Sequence, residues 1–258
     1  MYWRDGKLAI VDEEFNGRVM VAGDFHGDLD AFLSIKKIFE GDPDALLIFL
    51  GDYADRGENG LEVIQGVAEL VDRNPGRAIP LKGNHEDYRG GEPWFSPWTL
   101  GEEVGTKTGA RWEDFLPELE DFLRRLFLAA LIPNLAIFLH GGVSSKVKNL
   151  KLLVDPPQEI EEDIMWSDPI EWEGESPNPR GAGVLFGPDV SYRVVRGLGV
   201  NFIVRSHQPQ KAVEGPFLEH RGRVVTLSST SIYGGRPFLA VFRPGDKSSP
   251  RKINVVYL

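Results

Sequence analysis

Four of the five histidines in this chain lie in short blocks together with glycine and other polar residues. The blocks, one of them without histidine, are residues 23–27 (GDFHG), 51–57 (GDYADRG), 83–86 (GNHE), 140–142 (HGG) and 205–208 (RSHQ). Carboxylate, imidazole and amide groups suit borderline or hard divalent metal ions, and the chain has no cysteine that could compete as a thiolate. The blocks therefore predict a centre for two metal ions.

The polar residues of these blocks follow apolar segments that are typical of buried strands. Such segments end within three residues of Asp24, Asp52, Asn84, His140 and His207. Ligands of α/β sheets bind outside the carboxyl ends of the strands, so we expect these side chains at one sheet edge. Asp24 and His26 are two residues apart, which on an extended chain points both side chains the same way and suits two ligands of one ion.

The elements that must position these residues alternate in the first half of the chain. Strands are predicted at 18–22, 45–50, 77–81 and 135–139, and helices at 28–40, 61–71 and 115–131. Continuous apolar strands between amphipathic helices indicate a sheet that is covered on both faces.

The second half predicts mainly strands, at 202–205, 224–227, 238–242 and 253–258, which suggests a second, largely antiparallel sheet packed on the first. No linker interrupts the chain, so residues 1–258 are predicted to form one domain. Two irregular stretches, 88–109 and 155–180, are expected to be functional rims or mobile segments.

Composition excludes several classes of protein. The 258 residues include 29 basic and 39 acidic side chains, and a net charge of −10 argues against a general nucleic-acid binder. Residues 1–15 lack the apolar region of a signal peptide, and the longest apolar run, 126–139, is too short to span a bilayer. We expect a soluble, cytoplasmic protein without a nucleic-acid or membrane partner.

The ordered blocks resemble the defining motifs of the phosphoprotein phosphatase family, which belongs to the calcineurin-like metallophosphoesterases. The resemblance continues through 139–143 (LHGGV), 165–169 (MWSDP), 180–187 (RGAGVLFG) and 204–208 (VRSHQ), and it covers roughly residues 19–241. It implies an α/β fold: a four-layer α/β-β/α sandwich with two mixed sheets.

The resemblance also implies two sets of metal ligands. The first metal would be held by Asp24, His26 and Asp52, and the second by Asp52, Asn84, His140 and His207. A carboxylate has two anionic oxygens, so Asp52 is also the natural bridge on chemical grounds. The ligands suit Mn²⁺, which is expected in vitro, while iron, zinc and cobalt also fit.

Further residues are implied for substrate and catalysis. Arg56 and Arg180, with Asn84, would bind the substrate phosphate, since planar guanidinium groups match phosphate oxygens in pairs. His85 would be the general acid, oriented by Asp55.

The family's late loop supplies a tyrosine near the phosphate, and this tyrosine corresponds to Tyr233. Residues 228–235 (SSTSIYGG) are one residue longer than the family's form, and they lack its Pro-Asn and its cysteine.

These residues together predict a phosphomonoester hydrolase that acts on phosphoserine or phosphothreonine in a phosphoprotein or phosphopeptide. The expected mechanism is direct attack by a water that bridges the two metals. One alternative is a hydrolase of dinucleoside polyphosphates. Those enzymes typically carry Ala-Arg-Gly and Gly-Asn-His-Asp, where this chain has Asp55-Arg56-Gly and His85-Glu86. A second alternative is a non-catalytic scaffold that binds phosphoproteins.

Some polar and aromatic residues are expected to be structural. His220, next to Arg221, is predicted to be a solvated loop residue, and Asp168 to order its loop. Trp94 and Trp98 are expected to serve in packing.

Overall fold

Two main sheets and the helices outside them make up the fold in this computed structural model, which describes residues 1–245 and 253–258. The helices are α1 (Leu29–Glu40), α2 (Gly60–Arg73), α3 (Leu100–Thr108), α4 (Trp112–Arg125), α5 (Lys151–Val154), α6 (Gln158–Trp166) and α7 (Pro188–Leu198).

The strands are β1 (Tyr2–Asp5), β2 (Leu8–Val11), β3 (Val19–Ala22), β4 (Leu46–Phe49), β5 (Ala78–Pro80), β6 (Tyr88–Arg89), β7 (Glu92–Pro93), β8 (Ala129–Ile132), β9 (Ala136–Leu139), β10 (Asp168–Pro169), β11 (Glu175–Pro177), β12 (Val184–Phe186), β13 (Phe202–Arg205), β14 (Phe217–Glu219), β15 (Val224–Thr226), β16 (Phe238–Phe242) and β17 (Asn254–Tyr257). Short 3₁₀ turns lie at Asn84–Glu86, Pro209–Ala212 and His220–Gly222.

Both main sheets are mixed. The five-stranded first sheet has the order β17-β16-β3-β4-β5, with β3, β4 and β5 parallel and β16 antiparallel to β3. The seven-stranded second sheet has the order β1-β2-β8-β9-β13-β15-β14, and its centre, β9-β13-β15, is parallel.

The sheets pack face to face, and helices cover both outer faces. Along β4, Leu46 and Ile48 face the second sheet, whereas Leu47 and Phe49 face α1, α2, α3 and α4. On the other side, α5, α6 and α7 cover the second sheet. Strands buried on both faces explain the continuous apolar runs, and the predicted four-layer sandwich is confirmed.

The assignment of strands to sheets was partly wrong. Segments 238–242 and 253–258 were predicted for the second sheet, but β16 and β17 extend the first sheet from β3. This pairing supplies partners for backbone groups of β3 that would otherwise form an open edge. Segment 135–139, predicted for the first sheet, instead joins the second sheet as β9. The second sheet is also not largely antiparallel, because three of its six strand pairs are parallel.

The predicted helix at 115–131 is too long, because α4 ends at Arg125 and residues 129–132 form β8. Residues 126–132 are buried on every side, so they offer no polar face for a surface helix. Both irregular stretches also contain regular structure: α3 and the β6–β7 hairpin lie within 88–109, and α6 lies within 155–180. Elements β1, β2 and α7 were not predicted.

No helix in residues 1–245 or 253–258 is both long and apolar enough to cross a membrane. The cytoplasmic compartment stays a prediction.

Candidate active site

Five candidate ligands meet where strands of both sheets end. Asp24, Asp52 and Asn84 follow β3, β4 and β5, while His140 and His207 follow β9 and β13. All five side chains are buried. The backbone N–H of His207 donates to Asp24 Oδ1 at 3.1 Å, so the ends of the two sheets are directly joined. The structure thus brings these residues together, but at the adjoining ends of two sheets and not at the edge of one sheet as predicted. Their roles as ligands stay predictions.

Asp52 lies at the centre of this group. Asp24, Asp52 and His140 offer possible ligand atoms within 4.8 Å of one another, and so do His26, Asp52 and His85. Asp52 Oδ2 lies 3.4 Å from Nε2 of His26 and 3.4 Å from Nε2 of His140. A carboxylate shared by two groups of ligands has the position expected of a bridge.

Two histidines donate from Nδ1 to a backbone carbonyl, so the lone pair on Nε2 faces the oxygens of neighbouring side chains. His140 Nδ1 lies 2.8 Å from the Leu50 carbonyl oxygen, and because a carbonyl can only accept, Nδ1 carries the proton. His140 Nε2 then faces Asn84 Oδ1 at 3.0 Å and Asp52 Oδ2 at 3.4 Å. His26 repeats this arrangement, with Nδ1 3.1 Å from the Ala54 carbonyl oxygen. Backbone carbonyls that fix ring tautomers are typical of metal-ligating histidines.

The residues present fit metal ions. Two buried atoms, Asp24 Oδ2 and His207 Nε2, have no hydrogen-bond partner within the described part of the chain. Unpaired buried acceptors are costly, and the two oxygens that face the lone pair of His140 Nε2, Asn84 Oδ1 and Asp52 Oδ2, repel it unless a cation lies between them. Burial opposes a charge on His140, but Asp52 outweighs it and raises the pKa of His140 to about 9. The oxygens around His140 Nε2 thus favour a positive charge at that nitrogen, which a proton supplies here and a bound metal ion would supply instead.

Backbone strain is concentrated in this group. His26, Asp52, Asp55, Arg56 and His207 all have a positive φ, between 48° and 72°. Such conformations cost non-glycine residues about 1–3 kcal/mol each and cluster at functional sites. Hydrogen bonds hold the turns, since the N–H groups of Phe25 and His26 donate to the Asp52 carbonyl oxygen at 3.0 and 2.9 Å. The expectation of an extended chain from Asp24 to His26 was therefore wrong, although both side chains reach the site.

His85 and Asp55 form a buried pair. His85 Nδ1 lies 2.9 Å from Asp55 Oδ2, which leaves Nε2 directed elsewhere. Burial opposes the charged imidazole, yet the charge of Asp52 and the hydrogen bond to Asp55 raise the pKa of His85 above its ordinary value. The geometry matches the pairing that the sequence predicted, and the role of His85 as an acid stays a prediction.

Helix α3 holds Asp55 in place. Asp55 Oδ1 accepts hydrogen bonds from the N–H groups of Thr99 and Leu100 at 2.6 and 3.0 Å, at the first turn of α3. In return, Glu103 of α3 accepts from the N–H groups of Gly60 and Leu61 at 3.0 and 2.9 Å, at the start of α2. Asp55, in the turn before α2, thus caps the start of α3, and Glu103 of α3 caps the start of α2.

Three of the four candidate phosphate-binding side chains, Arg56, Arg180 and Tyr233, are exposed or partly exposed, whereas Asn84 is buried. Arg56 is exposed and donates to the Ser96 carbonyl oxygen at 3.4 Å. The ring of Tyr233 lies 5.4 Å from that of His26. Burial raises the pKa of Tyr233 to about 12, while the nearby charges of Arg56 and Arg180 oppose the rise. The loop of Tyr233 is tied to the start of α1, because Ser231 donates from N and Oγ to Asp28 Oδ2 at 2.7 Å.

Asp168 has a larger part in the site than its sequence context suggested. Its Oδ1 lies 2.9 Å from Arg205 Nη2 and 3.2 Å from His207 Nδ1, and its Oδ2 accepts from Arg180 Nε at 2.9 Å. Burial would raise the pKa of Asp168, but His207, Arg205 and Arg180 together lower it. One carboxylate therefore lies against a candidate metal ligand and holds a candidate phosphate-binding arginine. Only the block MWSDP hinted at this residue.

His220 is not the solvated residue that was predicted. It is buried, with Nε2 2.8 Å from the Ile170 carbonyl oxygen and Nδ1 2.9 Å from Ser191 Oγ. Burial lowers its pKa, although the Ile170 carbonyl and nearby carboxylates oppose the shift. It packs edge-on against Phe186, on the outer face of the second sheet, and serves the fold.

Comparison with known proteins places this architecture and site in a family. The profile of calcineurin-like phosphoesterases matches residues 17–211. The chain belongs to that family. A Caenorhabditis elegans protein named as a serine/threonine-protein phosphatase is 33% identical over 202 residues, which are 76% of this chain and 44% of that protein. A probable serine/threonine-protein phosphatase from Encephalitozoon cuniculi is 32% identical over 236 residues, 88% of this chain and 50% of that protein.

The chain thus spans about half the length of these curated relatives. Among solved structures, a protein serine/threonine phosphatase from Saccharomyces cerevisiae superposes with a TM-score of 0.77 at 23% identity. That match covers 97% of this chain and 82% of the yeast chain, and it supports the fold.

Proposed function

We propose that this phosphoesterase removes phosphate from phosphoserine or phosphothreonine in proteins, with two divalent metal ions as cofactors. The observation that carries the proposal is the buried set of mutually repelling acceptors around Asp52 and His140, beside the His85–Asp55 pair and two exposed arginines. Two relatives, from Caenorhabditis elegans and Encephalitozoon cuniculi, are named as serine/threonine-protein phosphatases, which supports phosphoserine and phosphothreonine as the substrate class. We also infer that residues 1–258 act as one domain, because a single core joins the two sheets.

The residues that would hold the ions are those of the two predicted sets: Asp24, His26 and Asp52 for one ion, and Asp52, Asn84, His140 and His207 for the other. Bound there, the ions would lower the pKa of a water and neutralise charge on the phosphoryl group. Mixed oxygen and nitrogen ligands suit Mn²⁺ in vitro, and iron, zinc or cobalt also fit.

Side chains of the protein bind the phosphate, and one of them donates a proton to the leaving group. Arg56 and Arg180 donate N–H groups to phosphoryl oxygens, and charge-assisted bonds of this kind strengthen as charge builds on those oxygens. Tyr233 lies at the same rim and offers its hydroxyl. Arg180 keeps its Nε on Asp168, so its terminal nitrogens remain for the substrate.

His85 supplies the proton that the leaving group needs. When the bond between phosphorus and the serine oxygen breaks, that oxygen takes a proton from His85 Nε2 and departs as a neutral alcohol. Asp55 holds Nδ1 at 2.9 Å and stabilises the imidazolium before transfer.

Turnover of a matched substrate panel tests this function. The purified chain, first treated with chelator, is assayed with and without added Mn²⁺ on a phosphoserine peptide, on p-nitrophenyl phosphate and on diadenosine tetraphosphate. We expect Mn²⁺-dependent release of phosphate from the peptide. Preference for diadenosine tetraphosphate would identify a dinucleoside polyphosphate hydrolase instead, and no turnover with bound Mn²⁺ would indicate a scaffold.

A further inference from the structure

The segment between the β6–β7 hairpin and α3 contacts three of the proposed catalytic and phosphate-binding residues. The Ser96 carbonyl oxygen accepts from Arg56, and the N–H groups of Thr99 and Leu100 donate to Asp55. Directly before Ser96, Phe95 packs on His85, with ring centroids 4.6 Å apart and planes tilted by 45°. Nothing in the sequence motifs assigned a role to Phe95.

The position of Phe95 is fixed by neighbouring aromatic residues. Its ring meets that of Tyr88 edge to face at 5.4 Å. Tyr88 in turn accepts a hydrogen bond from Trp98 Nε1 at 3.1 Å and stacks on Trp112 at 5.9 Å. Phe95 nevertheless stays partly exposed. A partly exposed phenyl ring held this way is an apolar wall that exists before any substrate binds.

The wall lies next to two of the proposed site residues, since Phe95 packs on His85 and the following residue, Ser96, accepts from Arg56. If His85 protonates the leaving oxygen, the atoms attached to that oxygen must lie close to the imidazole, and therefore close to the ring that packs on it. A serine side chain brings one methylene group to this place. A tyrosine side chain brings a whole aromatic ring, and aromatic pairs at centroid distances of about 4.5–7 Å are favourable.

We propose that Phe95 is a specificity-determining residue that raises the preference of the site for aryl over alkyl phosphomonoesters, phosphotyrosine being the aryl ester found in proteins. The inference rests on the proposed function, because it uses the leaving-group position that the role of His85 defines. The phosphoryl group binds the same arginines in both cases. The aromatic leaving group gains a contact with Phe95 that the alkyl one lacks.

Two peptides of one sequence, phosphorylated on serine or on tyrosine at the same position, test the proposal. The ratio of their kcat/KM values is measured for wild type, Phe95→Ala and Phe95→Leu with Mn²⁺ present. Phe95→Ala should lower kcat/KM on phosphotyrosine by roughly 3- to 10-fold, the usual worth of an aromatic pair, and on phosphoserine by less than about twofold. Phe95→Leu keeps an apolar side chain without a ring, so its kcat/KM on phosphotyrosine should lie between those of wild type and Phe95→Ala.

Trp94→Ala is the matched control. Trp94 is the preceding residue of the same segment and is exposed, but it lies over the Arg89 guanidinium at 4.4 Å rather than on His85. Its ratio should equal that of wild type. Because each variant is its own reference, a loss of folded protein changes both rates and leaves the ratio alone.

The outcomes separate this inference from the proposed function. Equal losses on both peptides in Phe95→Ala would mean that the ring only positions His85, and no loss on either peptide would mean that the leaving group does not meet the ring; either result overturns the proposal. Wild type that hydrolyses neither peptide refutes the proposed function itself.

Discussion

Replacing Asp168 by asparagine should damage folding, metal binding and phosphate binding together. The Asp168 side chain is 3% exposed and contacts Arg205, which is 0% exposed, so the substitution leaves a buried guanidinium without its closest carboxylate. Breaking a buried ion pair from one side costs about 3–5 kcal/mol. Asparagine keeps the volume and one acceptor, and Arg205 retains its bonds to Gln208 Oε1 and the Gly141 carbonyl oxygen. We therefore expect a loss of about 2–4 kcal/mol in the free energy of unfolding.

The same change should reach the site through two separate contacts. Without the carboxylate near Nδ1, the ring of His207 loses a partner that orients it, and loss of such a partner typically lowers metal affinity by roughly 10- to 100-fold. Arg180 loses the acceptor of its Nε, so inhibition by the phosphate product should also weaken. Arg180 contacts Oδ2 of Asp168, and His207 lies near Oδ1. We therefore expect the affinities for Mn²⁺ and for phosphate to fall together in Asp168→Asn.

Three measurements and one control check this reasoning. Urea unfolding with chelator gives the stability, calorimetric titration with Mn²⁺ gives the metal affinity, and product inhibition gives the phosphate affinity. Asp163→Asn is the control, since Asp163 is equally buried but pairs with Lys146 at 2.8 Å on α6. If Asp168→Asn matches this control in stability and binds Mn²⁺ as tightly as wild type, Asp168 does not organise the site.

Three further changes test other contacts. Asp52→Asn should lower metal content, measured by elemental analysis, in step with turnover, because one carboxylate serves both ligand groups; full occupancy with a near-normal rate would exclude a bridge. His85→Asn should keep the metals but slow phosphoserine hydrolysis by roughly 10²–10⁴-fold. The loss on p-nitrophenyl phosphate, whose leaving anion needs no proton, should be distinctly smaller, and equal losses would exclude the acid role. Burial lowers the pKa of His220 below its ordinary 6.5, so its stabilising contribution is present above about pH 6.5 and is lost as pH falls through the folded-state pKa. In urea unfolding with chelator, wild type should lose stability relative to His220→Gln below about pH 6.5, and parallel curves would contradict this.

Local chemistry was readable from the sequence, whereas long-range pairing was not. Glycine-flanked polar residues after apolar runs predicted which side chains meet, because parallel strands of each sheet end at one edge and the edges of the two sheets adjoin. The partner of β16 could not be read, since four of its five residues are buried and such a strand fits beside a strand of either sheet. The fully buried run 126–132 has no polar face, so its periodicity could not distinguish a strand from the end of α4.

Two single residues show the same limit. Asp168 begins the two-residue strand β10 and His220 begins a short 3₁₀ turn, and their burial depends on partners 12 to 50 residues away. A pattern within a short window contains no information about such partners.

The reciprocal capping between α2 and α3 has a consequence for how the molecule opens. Fraying of α3 at its first turn would release Asp55, and movement of Asp55 would leave the N–H groups of Thr99 and Leu100 without an acceptor. Glu103 extends the same dependence to the start of α2. The two helix starts and the turn between β4 and α2 therefore form one cooperative unit of hydrogen exchange. Amides at residues 60, 61, 99 and 100 should exchange at a common rate, and each opening of this unit would briefly separate Asp55 from His85.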